Sequence, residues 1–233
     1  MELYLRLNGY FSIRNYLQHR VPAWGLDTES DLLAIRMPYQ AEVLEDGCEQ
    51  HNDPILVLSG DQATMDFVIA EVKEPSVEFN KPIRGPQGQR LISAVIKMFG
   101  IFPRDAFEIG GAAHEMANDL HKQINSNCWI EVPESHNATY RMSLRMAVFA
   151  PKTAKHANER KHFDLQHVLD FTKDRMLPGK TSAPYRCLSR PSASPWRGST
   201  RLIVETLDES HSSIDASLEL EDFIRGVVSR WVR

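Results

Sequence analysis

Three residues in the first third of the chain are of the right types to do chemistry together: Asp31, Glu71 and Lys73. Glu71 and Lys73 close the run Asp66-Phe-Val-Ile-Ala-Glu-Val-Lys, in which four apolar residues lead straight into Glu-x-Lys. Side chains two apart in a strand emerge on the same face, so Glu71 and Lys73 are expected side by side. Fixing a carboxylate and an ammonium at the end of a buried strand costs solvation, and such a pair implies a use. Asp31 stands at the mouth of a second apolar run, Leu-Leu-Ala-Ile, within residues 29–37. Two carboxylates can share a divalent ion, and a neighbouring ammonium can orient a water. That combination suits metal-assisted hydrolysis of a phosphodiester.

Elements must bring these residues together. Residues 30–38 and 66–73 read as buried strands, and residues 12–20 alternate well enough for a half-exposed strand beside them. Asn8-Gly9-Tyr10-Phe11 reads as the end of a short helix or a turn. The polar, acidic stretch 40–54 is a surface excursion between the two buried strands, and 55–58 is a short strand or helix. After a Pro/Gly-rich loop at 82–88, the stripe Leu91, Ile92, Val95, Met98 and Phe99 predicts a helix over 88–99, stopped by Gly100. A helix near 112–125 and strands at 128–133 and 140–150 follow, the last with Met142, Leu144, Met146 and Val148 alternating with Arg141 and Arg145. Asp164 caps a helix over 165–176. A loop over 177–200 and an amphipathic helix over about 217–232 end the chain. The sum is a mixed α/β protein.

The 233 residues, 42% hydrophobic and 25% charged, suit one soluble domain: a core over about 8–150 with 151–233 packed on it. No apolar run is long enough to span a bilayer, and Met-Glu-Leu-Tyr-Leu-Arg is no signal peptide, so no membrane partner is expected. Cys48, Cys128 and Cys187 are scattered, which fits a reducing cytoplasm. The net charge of −4 argues against a generic nucleic-acid coat, but the charge is uneven. Residues 1–139 carry 11 Lys/Arg against 20 Asp/Glu, whereas residues 152–201 carry 11 against 4. An acidic front able to hold metal and a basic stretch able to meet phosphates suit a nuclease; a solvated, loop-rich surface explains the basic stretch equally well.

With Asp31 on one strand and Glu71-x-Lys73 on the next, the chain resembles the restriction-endonuclease-like, or PD-(D/E)XK, nucleases over roughly residues 8–100. The N-terminal third is also similar to a group of uncharacterised bacterial proteins that open with Asn-Gly-Tyr-Phe. The family core is a helix, a three-stranded meander, a helix and a further strand, so the resemblance implies a central mixed sheet flanked by helices. It implies Mg²⁺ (or Mn²⁺) held by Asp31, Glu71 and the carbonyl of Val72, with Lys73 as the third catalytic group. DNA is the implied substrate, in bacterial DNA metabolism or defence. Gln89 or Arg90 resembles the polar residue that many members place beside the metal. The chain departs from the pattern in having Ser30 where the family has proline, and in the 40 residues separating Asp31 from Glu71.

Arg141, Arg145 and the basic stretch are expected to help substrate approach, with Trp196 and Arg197 as a stacking-plus-phosphate surface or as a loop anchor. The competing reading is a catalytically inactive module on the same fold that binds nucleic acid or a protein partner. A third takes the charged trio as surface ion pairs at strand ends. The last helix has a single apolar stripe, which favours packing on its own core over the seam of a homo-oligomer. His114-Glu115 lacks the second histidine of a zincin motif, since Asn118 stands there. Gly179-Lys180-Thr181 lacks the earlier glycine and the leading strand of a P-loop.

Overall fold

The computed structural model describes residues 1–18, 28–40, 42–43, 49–50, 52–56, 64–124, 128–132 and 141–176. In chain order the elements are α1 (Glu2–Leu7), β1 (Tyr10–Gln18), β2 (Thr28–Arg36), β3 (Glu42–Val43), β4 (Glu49–Gln50), β5 (Thr64–Val72), α2 (Lys81–Arg84) and α3 (Gly88–Phe99). A 3₁₀ turn (Arg104–Phe107) precedes α4 (Ala112–Gln123), β6 (Cys128–Val132), β7 (Arg141–Ala150), β8 (Phe163–Asp164) and α5 (Leu165–Met176). The loop and helix expected over 177–232, Arg197 included, lie outside the described residues.

Five strands form a mixed sheet in the order β1-β2-β5-β7-β6, and β8 adds two residues beside the end of β7. β1, β2 and β5 are antiparallel neighbours; β7 runs parallel to β5, and β6 antiparallel to β7. The excursion between β2 and β5 contains the small β3–β4 hairpin. Central β5 is buried on both faces from Asp66 to Glu71, which is why it reads as a continuous β-branched and apolar run.

Two cores sandwich the sheet. On one face Leu33, Phe67, Ile69, Leu144, Met146 and Val148 pack against α3 and α4. On the other, Leu32, Ala34, Val68, Ala70, Ala147 and Phe149 pack against Tyr4 and Leu5 of α1 and Val168 of α5. α3 buries Ile92, Val95 and Ile96, whereas Met98, expected in its stripe, is 49% exposed. Gly100 ends the helix at φ 69°, a left-handed conformation that glycine adopts without steric cost. Asp164 Oδ1 accepts the Gln166 N–H at 3.2 Å, the cap expected for α5. The second core also takes in the short segment 52–56, where buried Asp53 accepts the Tyr4 hydroxyl at 2.7 Å and pairs with His167 Nε2 at 2.6 Å. No helix among the described residues is long and apolar enough to cross a membrane.

Candidate active site

The β2–β5 register pairs Leu32 with Ala70, and one further step sets Asp31 opposite Glu71. Alternation places both, and Lys73 beyond them, on the face that carries Leu33, Phe67 and Ile69 beneath α3 and α4. Asp31 Oδ2 accepts the Val72 N–H at 2.6 Å, so its carboxylate reaches the motif strand directly. Lys73 Nζ lies 2.9 Å from Glu71 Oε2 and donates to Asn80 Oδ1 at 2.7 Å. The Asn80 N–H in turn donates to Glu71 Oε2 at 3.0 Å. Lys73 is itself held to the sheet by its own N–H, which donates to the Phe149 carbonyl at 2.8 Å.

Glu71 is fully buried, and its second oxygen, Oε1, is buried without a hydrogen-bond partner among the described residues. Burial raises its carboxyl above the ordinary carboxylate range, and the charge of Asp31 adds to that. Lys73 and the Asn80 N–H pull the other way without reversing the shift. An orphaned acceptor on a buried carboxylate facing a second carboxylate is the electrostatic situation that a cation relieves. Among the described residues no three His, Cys, Asp or Glu side chains converge on one point. The donors on offer are therefore two carboxylates and backbone carbonyls, a set suited to a hard ion that keeps several waters.

The backbone beside Asp31 is unusual. Asn15, which the β1–β2 register sets opposite Asp31, has φ 51°, and the ladder pairs its neighbours but not Asn15 itself. Asparagine tolerates this left-handed region better than most residues. The consequence is a change of face: Tyr10 packs into the α1/α5 core, whereas Tyr16, six residues on, packs against the α3/α4 core. Strict alternation would put both tyrosines on one side, and the left-handed Asn15 is the backbone irregularity that lies between them.

The remaining expected contacts fare unevenly. Arg90 is exposed on the first turn of α3, and Gln89 is half-buried with Nε2 3.2 Å from His114 Nε2 of α4. Arg141 is exposed at the start of β7. Arg145 is only 6% exposed and forms a buried ion pair with Asp66, so it is no surface contact for a substrate. Its Nε donates to Asp66 Oδ1 at 3.1 Å and its Nη2 to the Tyr10 hydroxyl at 2.8 Å. Burial lowers the affinity of its guanidinium for the proton, and Asp66 and Tyr10 more than restore it. The expectation failed because Arg145 shares its face of the sheet with Asp66 of β5 and Tyr10 of β1, which hold its guanidinium in the interior. Asn80 and Asn15 are the site neighbours that sequence reasoning missed. Asn80 precedes Lys-Pro and stands at the N-cap of α2, a helix start legible in principle inside what read as a Pro/Gly loop. No protein-family model matches the chain, and no curated protein or solved structure matches it significantly.

Proposed function

We propose that the chain is a Mg²⁺- (or Mn²⁺-) dependent nuclease hydrolysing DNA phosphodiester bonds at Asp31, Glu71 and Lys73. The observation that carries this reading is the buried Glu71 Oε1, without a partner among the described residues and set across from Asp31 by strand register. The layout supports it: α1, the antiparallel strands β1, β2 and β5, helix α3 and strand β7 parallel to β5 resemble the restriction-endonuclease-like core, with α4 and β6 inserted between α3 and β7. Asp31 and Glu71 would hold the ion with the Val72 carbonyl. When bound, the ion supplies Lewis-acid polarisation of a phosphoryl oxygen.

The chain's own groups have separable tasks. Asn80 fixes Glu71 Oε2 through its N–H and Lys73 through its side-chain carbonyl, which leaves Oε1 as the ligand oxygen. An ammonium has three N–H donors, and Lys73 spends two on Glu71 and Asn80. Its side chain is 20% exposed, so the third donor is placed to meet a water or a phosphate oxygen arriving from solvent. Asp31 is anchored through Oδ2 by the Val72 N–H, so its other oxygen is the one it would offer the ion.

That same bond favours a second reading, an inactive module of this fold that retains nucleic acid or a protein without cutting, because it engages one Asp31 oxygen within the sheet. Purified protein on linear, circular and single-stranded DNA with Mg²⁺ or Mn²⁺ separates the two. Cleavage by the wild type, lost in folded Asp31→Asn, Glu71→Gln and Lys73→Met, supports the enzyme. Equal residual cutting by wild type and variants indicates a contaminant and ends it. Salt-sensitive retention without cleavage supports the module.

A further inference from the structure

We infer that a basic rim built from two segments distant in sequence, residues 73–90 and 151–162, is the surface that receives the phosphate backbone of a nucleic-acid strand. The inference rests on the site reading above and names its substrate contacts. Backbone hydrogen bonds lock the segments together. Lys155 N–H donates to the Pro75 carbonyl at 3.0 Å and the Val77 N–H to the Lys155 carbonyl at 3.0 Å. Arg160 NH1 meets Glu78 Oε1 at 3.0 Å. The loop after β7 is thereby fixed against the chain that leaves Lys73, because β5 and β7 are parallel and end side by side.

Together the two segments hold eight Lys/Arg against three Asp/Glu, while the rest of the chain holds 19 against 28. The two segments thus carry an excess of positive charge within a chain that is net acidic outside them, and they join beside the end of β5 that bears Glu71 and Lys73. Four of these eight are engaged: Lys73 with Glu71, Arg84 and Arg160 with Glu78, and Lys152 with Asp164. Lys81, Arg90, Lys155 and Lys161 are exposed and make no ion pair among the described residues. Solvated surface lysines are ordinary, but four such cations on two segments that hydrogen bonds join beside the end of β5 form a surface matched to a polyanion. The flexible, point-charge ammonium groups of the three lysines and the planar guanidinium of Arg90 fit phosphate contacts, which set affinity and register without reading bases. The rim also replaces Arg145, which is buried on the opposite face of the sheet.

The test is binding by full-length protein to a fluorescent 30-base-pair duplex and to its single strand, in EDTA to prevent cleavage, across 50–200 mM NaCl. The wild type is compared with Lys81→Gln/Lys155→Gln/Lys161→Gln, and with Arg6→Gln, an exposed position on α1 beyond the opposite face of the sheet. Each lost phosphate contact lowers the log–log salt slope on duplex by about 0.9, so the triple variant should lose about 2.7. A fourfold rise in salt then weakens the wild type about 40-fold more than the triple variant. Arg6→Gln should match the wild type, and circular dichroism should confirm that both variants fold. An unchanged slope in the folded triple variant overturns the rim, as does polyglutamate competing as well as DNA at equal charge, which marks an acidic-protein surface. Cleavage reports separately: a rim-dependent slope without Mg²⁺-dependent cutting leaves the rim and removes the nuclease, and cutting with an unchanged slope does the reverse.

Discussion

Lys73→Met tests the electrostatics of the site without assuming any activity. The substitution keeps an apolar stem of similar length and removes the ammonium that lies 2.9 Å from Glu71 Oε2. Glu71 is then left fully buried with the Asn80 N–H as its one donor among the described residues. Removing one partner of a buried ion pair costs about 3–5 kcal/mol, and the low end applies here because Lys73 is 20% exposed. About 3 kcal/mol corresponds to a fall of about 6–12 °C in Tm for a chain of this size. The pH dependence follows from the sign of the shift. Glu71 already titrates above its usual value of 4.5, and losing Lys73 raises it further. A carboxyl raised on folding destabilises only where it must ionise, so the deficit relative to wild type is absent below about pH 4.5 and opens as pH rises through the shifted value. Urea denaturation of wild type, Lys73→Met, Glu71→Gln and the double variant, from pH 4 to 8, reads this directly. The double variant should recover most of the loss, and Mg²⁺ should partly rescue Lys73→Met but not the double. A deficit under about 1 kcal/mol at pH 8, or one that is equal at pH 4 and 8, would refute the assignment of Glu71 as a buried charge held by Lys73.

Other perturbations test the scaffold around the site. Asp66→Ala strands Arg145 as a buried cation and should cost about 3–5 kcal/mol; Asp66→Ala/Arg145→Met should regain most of it, measured as urea midpoints. Asn80→Ala keeps the N–H to Glu71 but removes the 2.7 Å acceptor for Lys73, so about 1 kcal/mol of stability and part of any Mg²⁺-dependent cutting should go. Asn80→Asp, which restores an acceptor, should recover the cutting better than Asn80→Ala; equal rates in the two would remove Asn80 from the positioning of Lys73. Gly88→Ala would put a Cβ 1.7 Å from the Ile83 carbonyl oxygen and 2.5 Å from His121 Cδ2 at the start of α3. It should lower thermal stability by about 2 kcal/mol or more, and a loss under about 0.5 kcal/mol would mean that α2 and α3 can separate freely.

Local order was legible wherever periodicity and punctuation agreed. The helix over 88–99, its glycine stop, the apolar strand before Glu-x-Lys and the Asp164 cap all follow from patterns spanning a few residues, and the structure reproduces them. Met98 was assigned to the α3 stripe and Ile96 was not, because adjacent positions on a helix differ by only 100°. The short helix Lys81–Arg84 was read as loop, since its proline and the glycine after it dominate so brief a segment.

The charged trio divides along the same line. That Glu71 and Lys73 share a side depends only on the two-residue period of a strand, so the sequence determined it alone. Asp31 lies 40 residues earlier, and only the antiparallel register of β2 on β5 sets it opposite Glu71. Arg145 alternates along β7 as a surface residue would, yet the neighbouring strands bring Asp66 and Tyr10 to the same face and bury it as their partner. Asn80 entered the site because the chain doubles back after Lys73, which no local pattern encodes. A sequence fixes which side of its own element a residue occupies; what lies across from that side depends on elements folded in from elsewhere, and here they supplied Asp31, Asn80 and the burial of Glu71.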